Sequence, residues 1–245
     1  MRTEPRILTA GDSALVVEFG DRIDPAINRE VRALWRAVER AALPGVVELQ
    51  PTYRSLLVCF DPLEADVDRL RARLLEIDRQ KDEAGEDAPR VIEVPTSYGG
   101  EFGPDLAFVA RHNGLAEDEV VAIHSAASYL VYMLGFSPGF PYLGGMPERI
   151  AAPRLDTPRT SIPAGSVGIA QRQTGIYPVE SPGGWRLIGR TPLPLFDPER
   201  DPPALFEPGD TIRFVRVSAK EYRAIEARVR AGSWRPAAAR PGSTA

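Results

Sequence analysis

The stretch 129–190 constrains this chain more than any other. It carries Gly135-Phe136-Ser137-Pro138-Gly139-Phe140-Pro141-Tyr142-Leu143, then Pro163-Ala164-Gly165-Ser166-Val167, then Gln173-Thr174-Gly175-Ile176-Tyr177-Pro178, and closes on Ser181-Pro182-Gly183-Gly184-Trp185. Glycine admits positive φ and close backbone approach, whereas proline fixes φ and removes a donor. No long helix survives such punctuation. A disordered linker would share the glycine and proline but would lack the aromatic and branched residues between them. The stretch therefore predicts ordered loops over a β scaffold, the kind of surface on which function is often placed. More than half of the 24 prolines fall between Pro138 and Pro208.

Around this stretch the chain divides. Residues 14–19 predict a strand, and Asp24-Pro25 predicts a helix start with Asp24 as N-cap and Pro25 at the first helical position. Its apolar stripe is Ile27, Val31, Leu34, Trp35 and Val38. Two strands at 46–49 and 55–60 flank Pro51-Thr52-Tyr53-Arg54. A second helix is expected from Asp61-Pro62, with Val67, Leu70, Leu74 and Ile77 inward, and residues 81–87 are expected to form a solvated loop. A fourth strand at 91–94 completes β-α-β-β-α-β, the split βαβ of ferredoxin-like domains. Two helices follow, at 104–113 and 116–128. From residue 129 no helical period appears until 219–230, as in an all-β barrel or sandwich. The expected division is a small α/β domain over 1–90, a β-rich domain over 91–235 that carries the motif stretch, and a frayed tail over 236–245. The fold class is α+β.

Composition narrows the functional classes. A net charge of −4 and a pI near 5.4 give no electrostatic case for nucleic acid or an anionic membrane. The single cysteine, Cys59, sits in an apolar run and excludes a Cys-based zinc site or an intrachain disulfide. With no apolar N-terminal segment and no span-length run, a cytoplasmic location is expected.

Several motifs invite chemistry. Gly135-Phe136-Ser137-Pro138-Gly139 matches the G-x-S-x-G elbow of serine hydrolases, but the residue after the serine is Pro138, which has no N–H for an oxyanion hole. No phosphate-binding P-loop is present. Of the two histidines, His112 is expected to be exposed. His124 shares a helix face with Val120 and Ala127, and is either a satisfied core histidine or a proton-transfer group. Arg159, Arg172, Arg186 and Arg190 form a cluster in sequence suited to a carboxylate or phosphate, or to surface contact. The aromatics Phe136, Phe140, Tyr142, Tyr177 and Trp185 suit a pocket wall or an anchor for a partner protein. No metal site is supported.

Taken in order, the four motifs resemble one family. It is that of allophanate hydrolase subunit 1 and of PxpB, the B-type component of prokaryotic 5-oxoprolinase, with the sporulation kinase inhibitor KipI as a relative. A similar module forms part of the carboxyltransferase domain of urea carboxylase. The resemblance implies an N-terminal α/β domain and a C-terminal cyclophilin-like β-barrel. It implies a non-autonomous component of an ATP-dependent enzyme that opens 5-oxo-L-proline to L-glutamate. The expected partners are the C-type component (allophanate hydrolase subunit 2-like) and a third 5-oxoprolinase component, with ATP held by the complex. The alternatives are a KipI-like inhibitor of a sensor histidine kinase, or a component of a urea-amide carboxylating or allophanate system. Carried onto this sequence, the candidate catalytic group is His124. Candidates for substrate or nucleotide binding are Arg159, Ser166, Gln173, Thr174, Tyr177 and Arg190. Candidates for a pocket or partner interface are Phe136, Pro138, Gly139, Phe140, Tyr142, Ser181, Gly183, Gly184 and Trp185.

Overall fold

The computed structural model describes residues 4–81, 90–236 and 238–239. The chain falls into two compact units, Met1–Asp87 and Ala88–Ala245.

In the first unit the strands are β1 (Arg6–Thr9), β2 (Ala14–Glu18), β3 (Val46–Pro51) and β4 (Ser55–Phe60). They form one antiparallel sheet in the order β1-β2-β4-β3. Helix α1 (Pro25–Ala41) starts as its sequence predicts, with the Asp24 carboxylate accepting the Ala26 N–H at 2.8 Å and Pro25 at the first position. Buried Asn28 then ties α1 to the β3–β4 turn by donating to the carbonyls of Thr52 and Tyr53. Helix α2 (Val67–Gln80) begins later than Asp61-Pro62 suggests. Asp61 instead closes a turn on the Leu63 N–H, and Asp66 is the cap, accepting from Asp68 and Arg69. The core between helices and sheet is Leu15, Val17, Val31, Leu34, Leu56, Val58 and Leu74.

Two expectations are corrected in this unit. Residues 91–94 do not supply the fourth strand. β1 occupies that position beside β2, so the split βαβ arrangement is completed from the start of the chain. Lys81 is not part of a solvated loop: its ammonium is buried against Asp78, at 2.6 Å, and lies over the Phe19 ring. The rest of that predicted loop, 82–87, lies outside the described residues.

The second unit is built on a nearly closed sheet. Its strands are β5 (Val91–Tyr98), β6 (Tyr129–Leu134), β7 (Pro141–Gly144), β9 (Ser166–Ala170), β10 (Gln173–Ile176), β12 (Arg186–Arg190) and β13 (Thr211–Arg216), in the order β10-β9-β12-β5-β13-β6-β7. β8 (Arg159–Ile162) and β11 (Ser181–Gly183) form a separate pair. β5 runs parallel to β13 through residues 91–96 and then pairs antiparallel with β12 at Ser97 and Tyr98, which carries the sheet round its bend. β14 (Ala238–Ala239) pairs with β5, inside the segment expected to fray; residues 237 and 240–245 lie outside the described residues. Helices α3 (Leu106–His112) and α4 (Glu117–Ala126) cover the sheet. α5 (Ala219–Arg230) is capped reciprocally by Ser218 and Glu221. The core contains Val94, Val109, Val120, Val131, Ile169, Ile188, Ile212 and Phe214. No helix among the described residues is long and apolar enough to cross a membrane.

A side chain on Gly103 would overlap the Ile188 carbonyl, where the α3 approach crosses β12. Gly103→Ala is expected to cost about 3 kcal/mol, the upper end for overpacking. Urea unfolding of the variant against the parent measures it.

Candidate functional site

The loop-rich stretch folds back on itself to make a cleft of about 210 Å³. Its walls are Phe136, Phe140 and Tyr142 from the β6–β7 hairpin, Gln173 and Tyr177 from β10 and its exit, and Pro182 to Trp185 from β11 and its link to β12, together with Arg154. Phe140 is the hub. Its ring meets those of Phe136, Tyr142, Tyr177 and Trp185 edge to face, with centroids 5.2 to 5.9 Å apart. Gly175 makes this packing possible, because a Cβ there would lie 3.0 Å from both the Phe140 and Trp185 rings. Phe136 is the outlier: it is 73 % exposed and holds φ at +67° at the hairpin tip. A non-glycine residue in that region carries strain, and such strain clusters at functional sites.

The hairpin also settles the serine-elbow question. Ser137 N donates to the Gly135 carbonyl at 2.8 Å and Phe140 N to the Ser137 carbonyl at 3.0 Å, so a tight turn leads directly into β7. No helix follows the serine as the elbow requires.

His124 lies at the core rather than in the cleft. It is fully buried on α4, against Tyr129 and Phe214. Nδ1 is 2.8 Å from the Tyr98 hydroxyl and Nε2 is 3.0 Å from Thr174 Oγ1. Burial lowers its pKa from 6.5 to about 3, which keeps the ring neutral. As a solvent-facing catalytic base it is therefore misplaced: both nitrogens are occupied and the charged form is disfavoured.

The arginine cluster of the sequence is dispersed in space. Arg159 donates to Asp105 Oδ1 at 2.9 Å and reaches the Trp185 carbonyl at 3.4 Å, while the other Asp105 oxygen accepts the Leu187 N–H. Arg172 pairs with Glu148 at the surface. Arg186 stacks on Phe108, 3.6 Å from the ring centroid. Arg190 lies 6.0 Å from the Phe102 centroid. Ser166 and Thr174 are interior, Pro138 and Gly139 shape the hairpin, and Ser181 lies on β11. Of the sequence candidates, Phe136, Phe140, Tyr142, Gln173, Tyr177, Gly183, Gly184 and Trp185 meet in one place. Arg154 was missed. It sits in Ala-Pro-Arg-Leu with no spacing signal, and only the fold brings it to 6.0 Å from the Trp185 ring. It is the one charged residue lining the cleft among the described residues. Burial raises the Tyr177 phenol, opposed by a hydrogen bond with the Trp185 backbone and by the charges of Arg154 and Arg159. The site is thus aromatic, mildly electropositive and without a carboxylate.

Comparison with known proteins identifies the lineage. Residues 5–206 match the carboxyltransferase domain, subdomain C and D. The B-type component of 5-oxoprolinase from Bacillus subtilis is 47 % identical over 240 residues, covering 92 % of this chain and 98 % of the relative. The chain belongs to this family of 5-oxoprolinase components, the PxpB family. A solved structure of a conserved uncharacterized protein from Pyrococcus horikoshii is 52 % identical, covering 89 % of this chain and all of that one, with a TM-score of 0.54. The Kluyveromyces lactis urea carboxylase shares the fold at 23 % identity, over 96 % of this chain and 24 % of that one, with a TM-score of 0.72. The PxpB family thus has an architecture that recurs inside a much longer carboxylase.

Two outcomes are expected from this geometry. The unfolded chain binds a proton at His124 below about pH 6.5, and the folded chain cannot until about pH 3. The resulting stability is complete above pH 6.5 and falls as pH drops toward 3. Urea midpoints at about pH 7.5, 6.0 and 5.0, a range above carboxylate titration, should decline in the parent and flatten in His124→Leu. Arg159→Ala should cost about 1–3 kcal/mol, by stripping Asp105 of its cation and the Trp185 carbonyl of a donor. Tryptophan fluorescence should report the released Trp185.

Proposed function

We propose that this chain is the substrate-binding part of a shared active site in an ATP-dependent 5-oxoprolinase, working in the cytoplasm with the C-type component and a third component. The observation that carries this reading is the chemistry of the cleft. Its lining offers aromatic faces, one amide and one guanidinium, and no carboxylate, histidine or thiol to act as base or nucleophile. Such a surface binds and orients a ligand; activation of water falls to a partner protein of the complex. The family relationship supplies the reaction: water is added across the lactam C–N bond, the ring nitrogen leaves as an amine, and ATP hydrolysis drives the step.

The dimensions favour the lactam over the nucleotide. A space of about 210 Å³ is below the roughly 300–1,000 Å³ of pockets that hold drug-sized ligands. It suits a compact five-membered ring stacked against Trp185 and Tyr177. Gln173 presents an amide that complements the lactam C=O and N–H, and Arg154 faces the carboxylate. ATP then belongs to a different surface of the complex, in keeping with a sequence that carries no P-loop.

The test is 5-oxoproline-dependent ADP release, with this chain alone and reconstituted with its two partner proteins. Turnover is expected only from the reconstituted complex. In that complex Arg154→Gln should raise KM for 5-oxoproline about tenfold with kcat little changed, the mark of lost ground-state binding. Full turnover by the chain alone would contradict the shared site. An unchanged KM would remove Arg154 from it.

A further inference from the structure

The cleft has a floor, and that floor is held from behind. β10 supplies Gln173 to the cleft lining and sets Gly175 behind the Phe140 and Trp185 rings, while Thr174 between them points the other way, as alternation along a strand requires. β10 ends the path of the sheet and pairs with β9. Its backbone is paired with β9 along residues 173–176 and it packs against β7 across the nearly closed end of the sheet, and Thr174 adds side-chain hydrogen bonds to that frame.

Those contacts have a direction. Thr174 Oγ1 lies 3.1 Å from the Gly168 carbonyl, which only accepts, so the single hydroxyl proton goes there. Thr174 must then accept from His124 Nε2, at 3.0 Å, which puts the imidazole proton on Nε2. Nδ1 is left with its lone pair and accepts from the Tyr98 hydroxyl at 2.8 Å. The chain thus runs from Tyr98 on β5 through His124 on α4 and Thr174 on β10 to Gly168 on β9. Tyr129 on β6 steadies the α4 end by donating to the His124 carbonyl at 2.7 Å. The groups packed against the imidazole are Tyr98, Thr174, Tyr129 and Phe214 of β13, none of them charged at neutral pH.

We propose that His124 is a positioning residue: through its Nε2–H bond to Thr174 it fixes the set of β10 within the sheet, and so the placement of Gln173 in the cleft and of Gly175 behind the Phe140 and Trp185 rings. Each donor proton of the chain (Tyr98 O–H, His124 Nε2–H and Thr174 O–H) is used once, and none needs to exchange for the site to work. The imidazole suits this task because it spans two strands with one rigid ring and carries a donor and an acceptor on opposite edges. The proposal rests on the reading of the cleft as the substrate site, and its test has one arm that does not depend on that reading.

The first arm is nuclear magnetic resonance on the full chain. The His124 ring nitrogens should report the neutral Nε2–H tautomer from about pH 5 to 9, well above the depressed titration of a buried imidazole. In Thr174→Val the Gln173 and Gly175 amide signals should shift, and in Thr174→Ser they should return toward the parent. The second arm is kinetics of the reconstituted complex. Thr174→Val should raise KM for 5-oxoproline about tenfold, the effect of one lost buried hydrogen bond. The pH profile of kcat/KM should keep its shape, and Thr174→Ser should restore KM. Protonation of His124 within that pH range would overturn the proposal, as would a serine variant no better than valine or a valine variant that leaves the amide signals in place. If the complex shows no 5-oxoproline-dependent turnover, the functional reading fails, while the resonance arm still decides whether His124 positions β10.

Discussion

The candidate site depends on one ring, Phe140. It is buried and meets four other aromatic side chains edge to face, and those four come from three separate segments of the chain. Through this ring the β6–β7 hairpin, the exit of β10 and the β11–β12 link are joined at a single point. The ring also explains two glycines. Gly175 leaves room for Phe140 and Trp185, and Gly183 leaves room for the Tyr177 hydroxyl, which a Cβ would strike. The glycine-rich motifs are thus conditions for bringing aromatic faces together, and the cleft is the result.

Around that hub the cleft lining and the buried histidine are kept apart. The candidate base, His124, lies inside, bonded to Tyr98 and Thr174 and kept neutral by burial. The arginines of the motif stretch are spent on structure: Arg159 on Asp105 and the Trp185 carbonyl, Arg186 on Phe108, Arg172 on Glu148. What lines the cleft is a set of aromatic faces, two of them phenols, with one amide and one guanidinium. A surface of that kind can select a small ring and hold it still. The lining holds no carboxylate, histidine or thiol to activate water, which is the physical reason for proposing that an assembly carries the reaction.

Local features were legible in the sequence. Asp24-Pro25 and Ser218 with Glu221 mark real helix starts, because capping is decided within a few residues. The excess of Phe, Tyr and Trp beside turns marked the cleft walls, because a core does not need so many there. What was hidden is what depends on distant partners. β1 takes the edge position assigned to residues 91–94, since strand pairing is settled by the whole sheet and the period of the residues alone is silent on it. The arginines looked like a cluster because they are close in sequence, yet each found a different partner in space. Arg154 carries no local signal. For His124 the two readings left open by its helix face were separated only once Tyr98 and Thr174 were seen on its two nitrogens.

The most direct test of a binding protein without its own catalytic base is calorimetric titration of the isolated chain with 5-oxoproline, run beside a turnover assay on the same sample. The account predicts measurable binding, weakened in Trp185→Ala, with no formation of glutamate whether or not ATP is added. Glutamate formation by the isolated chain, or binding untouched by the loss of Trp185, would contradict it.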